Sequence, residues 1–166
     1  MLKENIFVHL NEQLNLELFS ANIYLQMSSW AHNKNYEGTG IFLKKQSLEE
    51  MNHMYKIFDY LNNTKTPPII NSIPSPKISC NSLYELFKKI LKHEKYITKK
   101  INEITCLSMN NQDYSTFNFL QWYISEQREE ENLFQKILDK INLIGDNEKN
   151  LFFIDKYLYS YKKNEI

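Results

Sequence analysis

In the stretch Leu48-Glu49-Glu50-Met51-Asn52-His53-Met54, a carboxylate and an imidazole stand three residues apart, so on an α-helix Glu50 and His53 share a face. Leu43, Met54, Ile57 and Leu61 give that face apolar neighbours. An ionised group left unpaired in a packed core costs several kcal/mol, whereas a bound cation turns the same pair into ligands. A single Glu-x-x-His on a helix is most often surface decoration. The pair gains meaning only if other helices bring ligand-type residues to the same level.

The composition excludes several other chemistries. The 166 residues carry twenty basic and twenty acidic side chains, so no net field gathers nucleic acid or an anionic membrane surface. The length suits one domain with a real core. Cys80 and Cys106 form neither a CxxC pair nor a disulfide framework, which suits a reducing compartment. Lys3, Glu4, His9 and Glu12 interrupt the apolar run that a secretory signal needs, and no later segment approaches membrane-spanning length. A cytoplasmic protein is expected.

Three glycines and four prolines predict long helices with clustered breaks. A first helix is predicted from about Glu4 to Asn33, with Phe7, Leu10, Leu14, Ala21, Tyr24 and Ala31 in an apolar line interrupted at Glu17. Gly38 and Gly40 read as a turn, and a second helix follows from about Gly40 to Asn63. Pro67, Pro68, Pro74 and Pro76 then make residues 64–81 a long connection, able to reach well over about 40 Å when extended, which is enough to cross a bundle. Ser82 with Glu85 has capping-box spacing and opens a third helix to about Met109, whose line of Leu83, Phe87, Ile90, Ile97, Ile101 and Ile104 is broken at Glu94. After a tight turn, a fourth helix runs from about Tyr114 to Ile144, its stripe broken by Gln127 and Glu130. Gly145 ends it, and Asp146 or Asn147 caps a short fifth helix that is apolar over most of its circumference. Such a helix is expected to pack against other copies of the chain. Residues 1–145 would form the bundle and 146–166 a short helix and tail of the same domain.

In an antiparallel bundle the midpoints of long helices lie at one height, and the four helices are centred near residues 18, 52, 96 and 128. The breaks at Glu17, at Glu50 with His53, at Glu94, and at Gln127 with Glu130 therefore fall in one layer. Short connection, long crossover, short connection is also the ferritin-like order, in which facing helices supply inward carboxylates to a di-iron site. Four glutamates contribute about four negative charges, which two ferrous ions would cancel. Hard oxygen ligands with one imidazole favour Fe(III) over Fe(II) and so promote electron loss to oxygen or peroxide.

Asn11-Glu12-Gln13, Ser20-Ala21-Asn22-Ile23-Tyr24-Leu25, Met27-Ser28-Ser29-Trp30, residues 116–123 (TFNFLQWY) and Glu129-Glu130-Glu131 together make the chain resemble the bacterial non-haem ferritins over nearly its full length. The resemblance implies an all-α, ferritin-like four-helix bundle with a long crossover between its second and third helices and a short fifth helix. It also implies a homo-oligomeric shell of 24 subunits around a mineral cavity, and storage of iron oxidised by oxygen or hydrogen peroxide. Carried over by position, Glu17, Glu50 and His53 would hold one iron, and Glu50, Glu94, Gln127 and Glu130 a second, with Glu50 bridging. A third iron site would match Glu49, Glu126, Glu129 and Glu130, while Tyr24 and Trp122 match aromatic residues beside the diiron centre.

Other readings have specific signals. Met51 stands where haem-containing bacterioferritins place a haem-ligating methionine, but those proteins carry a second Glu-x-x-His where this chain has Gln127 and Glu130, so haem is not expected. A peroxide-consuming diiron protein of the rubrerythrin type would bring a Cys-rich module that two isolated cysteines cannot make. A non-catalytic shell subunit would show gaps in the ligand layer. Asn118 and Gln121 replace the carboxylates of the three-fold pore of animal ferritins, leaving the route for iron admission open. Lys56, Asp59, Tyr60 and Asn63 give no mineral-nucleating patch. His9, His32 and His93 have no partner at ligand spacing, and Lys88, Lys92, Lys95 and Lys99 form a solvated face.

Overall fold

The computed structural model of the chain describes residues 2–145 and 147–161. Five helices follow one another: α1 (Glu4–Asn33), α2 (Glu37–Asn63), α3 (Leu83–Asn110), α4 (Tyr114–Ile144) and α5 (Glu148–Ser160). α1 packs along α2 and α3 along α4, and the two hairpins face each other. The expected apolar line of α3 is buried throughout, because residues at i, i+3, i+4 and i+7 share a face. Ser82 caps α3 by accepting the Glu85 N–H at 3.2 Å, while the Glu85 carboxylate accepts from the N–H of Asn81 at 2.9 Å, one residue before the box would place it.

The second helix departs from expectation at its start. It begins at Glu37, and Gly38 and Gly40 lie inside it, the turn being made by Lys34 and Asn35, the latter at φ 61°. The two glycines serve close approach instead. A Cβ at Gly38 would come within 2.0 Å of the Asp155 carbonyl oxygen of α5, and one at Gly40 within 2.5 Å of the His32 ring.

Residues 64–82 run along α1 from end to end. Asn11 brackets Ile69, donating to its carbonyl at 3.1 Å and accepting its N–H at 2.7 Å. Asn15 likewise donates to the Ile69 carbonyl and accepts the Asn71 N–H, and the Trp30 indole donates to the Cys80 carbonyl at 3.1 Å. Side-chain amides thus pair backbone groups that an extended, proline-rich segment cannot pair by itself.

α5 is capped by Asn147, and Asp146, the other expected cap, lies outside the described residues together with the tail at 162–166. Leu151, Ile154 and Leu158 bury one face of α5 on the bundle, whereas Phe152, Phe153 and Tyr159 stay 60–66% exposed. The Asp155 carboxylate accepts the N–H groups of Gly38 and Thr39 at 3.0 and 2.7 Å and the Thr39 hydroxyl at 2.8 Å. It is therefore an N-terminal cap for α2 supplied by another helix. Asp155→Ala should cost about 1.5–3 kcal/mol, the range for hydrogen bonds to a charged group. Hydrogen exchange should speed up in α5 and the first turn of α2 while α3 and α4 stay protected; unchanged exchange in α5 would show that the cap does not hold it.

Candidate metal centre

The buried apolar residues form two clusters rather than one. Tyr24, Phe42, Leu43, Phe87, Phe134 and Ile137 belong to the first, and Leu10, Leu14, Ile57, Ile97, Ile101 and Leu120 to the second. Between the sequence positions that feed them lie Glu17, Glu50, His53, Glu94, Gln127 and Glu130, all at most 4% exposed. A polar layer thus divides the core at mid-bundle, with every helix of the bundle contributing.

Glu17, Glu50 and His53 offer ligand atoms that all lie within 4.8 Å of one another. His53 Nδ1 is 3.2 Å from Glu50 Oε2 and its Nε2 is 3.7 Å from Glu126 Oε1. Opposite them, the Tyr24 hydroxyl donates to Glu94 Oε1, and Gln127 Nε2 donates to Glu94 Oε2 at 3.0 Å. The same Gln127 amide nitrogen also reaches the Glu94 carbonyl oxygen at 3.3 Å, so it is committed to Glu94. Gln46 Nε2 donates to Glu130 Oε2 at 3.1 Å. Glu49, Glu126 and Glu130 make a second convergent group, also within 4.8 Å. Glu129 is exposed and outside that group, so three of the four carboxylates matched to a third site come together.

Burial pushes the carboxyls of Glu17, Glu50 and Glu94 above the usual range, and the crowding of like charges adds to it for Glu17 and Glu50. At Glu94, hydrogen bonds from Tyr24 and Gln127 offset part of the effect. Burial pulls the His53 imidazole down, but the carboxylates of Glu126, Glu17 and Glu130 outweigh it and hold the ring above its ordinary value. Burial also raises the Tyr24 hydroxyl well above the usual phenol range, reinforced by Glu94, so it stays a donor. Glu17 Oε2 is buried with no N–H or hydroxyl donor, and its carboxyl lies against that of Glu50, a contact that holds only while one of the two keeps a proton. Ionising both is costly, and a cation shared with Glu50 and His53 would take the place of that proton.

Three supporting residues escaped the sequence reading. Gln13 donates to Glu17 Oε1 at 2.7 Å, Gln46 reaches Glu130, and the Tyr123 hydroxyl donates to the His53 carbonyl at 2.6 Å. Gln13 precedes Glu17 by four residues, so the i, i+4 rule was the available signal for it, whereas Gln46 and Tyr123 reach across from one helix to another and have no such signal. Trp122 meets the His53 ring edge-on at a centroid distance of 5.3 Å, with Lys56 Nζ 4.3 Å from its own ring centre. Met51 is half-buried against the second cluster. His93 lies apart from the ligand groups, 2.8 Å from the Ser20 hydroxyl, and burial lowers its pKa to about 4, so it is neutral.

The comparisons agree with this architecture. The family model of the ferritin-like domain matches residues 8–144. The bacterial non-heme ferritin of Escherichia coli O6:H1 is 52% identical over 158 residues, spanning 95% of this chain and 96% of that protein. Its counterpart in Campylobacter jejuni is 44% identical over 158 residues, again 95% of each. Among solved structures, an open pore ferritin from Archaeoglobus fulgidus superposes with a TM-score of 0.95 at 33% identity, covering 98% of this chain and 99% of that one. Chlorobium tepidum ferritin does so with a TM-score of 0.86 at 38% identity, covering 98% and 100%. With a bundle of this order, a carboxylate layer at its middle and relatives matched nearly end to end, the chain belongs to the ferritin family.

Proposed function

We propose that the chain is an iron-storage ferritin with ferroxidase activity. Fe(II) is its substrate, taken up at Glu17, Glu50 and His53 and at Glu50, Glu94, Gln127 and Glu130. Oxygen or hydrogen peroxide accepts the electrons, and the ferric product is stored as mineral inside a cytoplasmic homo-oligomer of 24 subunits. The observation that carries this reading is the buried triad of Glu17, Glu50 and His53, whose crowded carboxyls suit a divalent cation and are costly to ionise without one. Anionic oxygen donors lower the energy of the ferric state more than the ferrous one, so electron loss is favoured where the ions bind. Tyr24 and Gln127 hold Glu94, Gln13 holds Glu17, and Gln46 holds Glu130 in position while the metal charge rises. The Glu49, Glu126 and Glu130 group is the proposed third iron site.

Stopped-flow absorbance on metal-free protein in air should show a fast phase that grows with added Fe(II) and saturates at about two irons per chain, followed by slower mineral growth. Size-exclusion chromatography should give a large closed assembly. A slow trace without saturation would refute the ferroxidase reading, and elution as a single subunit would refute the cage.

A further inference from the structure

Outside the buried layer, α1, the crossover and α3 enclose a surface groove of about 370 Å³. Its lining includes His9, Glu12 and Gln13 from α1, with Tyr96 and Lys100 from α3. His9, Glu12 and Gln13 stand at i, i+3 and i+4, so they share one face of the helix, and Glu12 gives His9 the partner at ligand spacing that the sequence reading passed over. Gln13 connects this groove to the centre, because its Nε2 donates to Glu17 Oε1 at 2.7 Å. With the amide nitrogen committed to the carboxylate, its oxygen Oε1 is the group left over, and that atom is buried without a hydrogen-bond partner. The reverse orientation would set two acceptors against each other.

His9 is in a matching state. Its Nδ1 lies 2.7 Å from the Asn5 carbonyl oxygen, which can only accept, so Nδ1 carries the proton and Nε2 keeps its lone pair. Metal-ligating histidines are oriented in this way, with one ring nitrogen donating to a carbonyl and the other free for the ion. His9, Gln13 and Glu17 then form a ladder at i, i+4 and i+8, each step rising about 6 Å along α1. Lys100, the cationic member of the lining, donates to Glu103 at 3.1 Å and also feels the charge of Glu12, so it competes with a cation for that carboxylate.

The geometry points to a divalent-cation site in this groove, formed by His9 Nε2, the Glu12 carboxylate and Gln13 Oε1, from which the ion passes along α1 to Glu17. An imidazole, a carboxylate and an amide oxygen suit a first-row divalent ion such as Fe(II). The delivery role rests on the proposed ferroxidase reading; the binding site itself does not.

The test uses assembled, metal-free, full-length protein with Co(II) as the only metal, followed by calorimetry and visible absorption. His9→Ala should weaken one class of Co(II) site by at least about tenfold while the spectrum of the buried sites is unchanged. Lys100→Gln should tighten the same class, since it removes a positive charge from the lining. With Fe(II) kept below saturation, His9→Ala should slow the fast oxidation phase about tenfold, and at saturating Fe(II) the two rates should coincide. Identical Co(II) isotherms for the parent and His9→Ala would overturn the site and leave a groove that holds water only. A lost Co(II) site with no change in sub-saturating rate would overturn the delivery. Absence of a fast phase in the parent would instead refute the ferroxidase reading, and the Co(II) comparison would still decide the groove.

Discussion

Replacing Glu50 and Glu130 together by alanine should slow the fast oxidation of Fe(II) by at least about 100-fold, equivalent to about 2.7 kcal/mol of barrier at 1.36 kcal/mol per tenfold. The two side chains are chosen for their positions. Glu50 shares the first group with Glu17 and His53 and also feels the charges of Glu94, Glu130 and Glu49, so it is the carboxylate that faces ligands from every side. Glu130 belongs to the second group, with Glu49 and Glu126. Losing both leaves neither cation a full anionic shell. Assembly should survive, because these groups face the bundle interior at 3% and 1% exposure. The metal-free variant should melt no lower than the parent, since removing buried, crowded carboxylates relieves a desolvation cost. Oxidation at the parental rate in the double variant would show that the chemistry occurs elsewhere. A variant that fails to assemble would show that the layer is needed for folding, and Glu50→Gln with Glu130→Gln, which keeps the volume, would then carry the kinetic comparison.

The long elements were legible because each depends on a local rule. Apolar spacing marked α1 to α4, the proline cluster marked the crossover, and Ser82 marked the start of α3, where it accepts an N–H group of the first turn. The polar layer was legible for a different reason. A glutamate at 0–3% exposure breaks an apolar stripe, and four such breaks at matching heights are visible without coordinates. Gly38 and Gly40 were misread because a glycine looks the same in sequence whether it frees a turn or makes room. Here they admit Asp155 and His32, and those partners lie in α5 and at the end of α1. The donors Gln46 and Tyr123 were missed because glutamine and tyrosine are common on helices and only three-dimensional placement shows which of them reach the polar layer, whereas Gln13 was within reach of the i, i+4 rule. Glu129 stands differently from its neighbours. It sits in an acidic run with Glu130 and Glu131, yet the helix turns it to solvent while Glu126 and Glu130, four residues apart, face Glu49.

Metal-free protein should lose stability as pH rises from about 5 to 8, and two equivalents of a divalent ion should restore it most strongly at the upper end. The sign follows from the raised groups. Glu17, Glu50 and Glu94 have folded-state values above their unfolded ones, so between the two the native state holds protons that the unfolded chain has released. Stability then falls with pH, since its slope is proportional to protons bound when unfolded minus protons bound when folded. His53 acts in the same direction: its raised value contributes stability below the unfolded value that is lost as pH rises through the folded one. General charge repulsion does not supply the trend, because twenty basic and twenty acidic residues leave the chain near neutrality at pH 7. A bound ion takes over the role of those protons, so its affinity rises with pH as fewer remain to be displaced. At about 100 times its dissociation constant each ion adds about 2.7 kcal/mol, and two together about 5 kcal/mol. The measurement is thermal melting at a fixed subunit concentration, with and without Zn(II), at pH 5.5 and pH 8. A metal-free midpoint that rises with pH, or a Zn(II) shift that is larger at pH 5.5, would mean that the layer is already neutralised by groups of the protein and has no deficit for iron to fill.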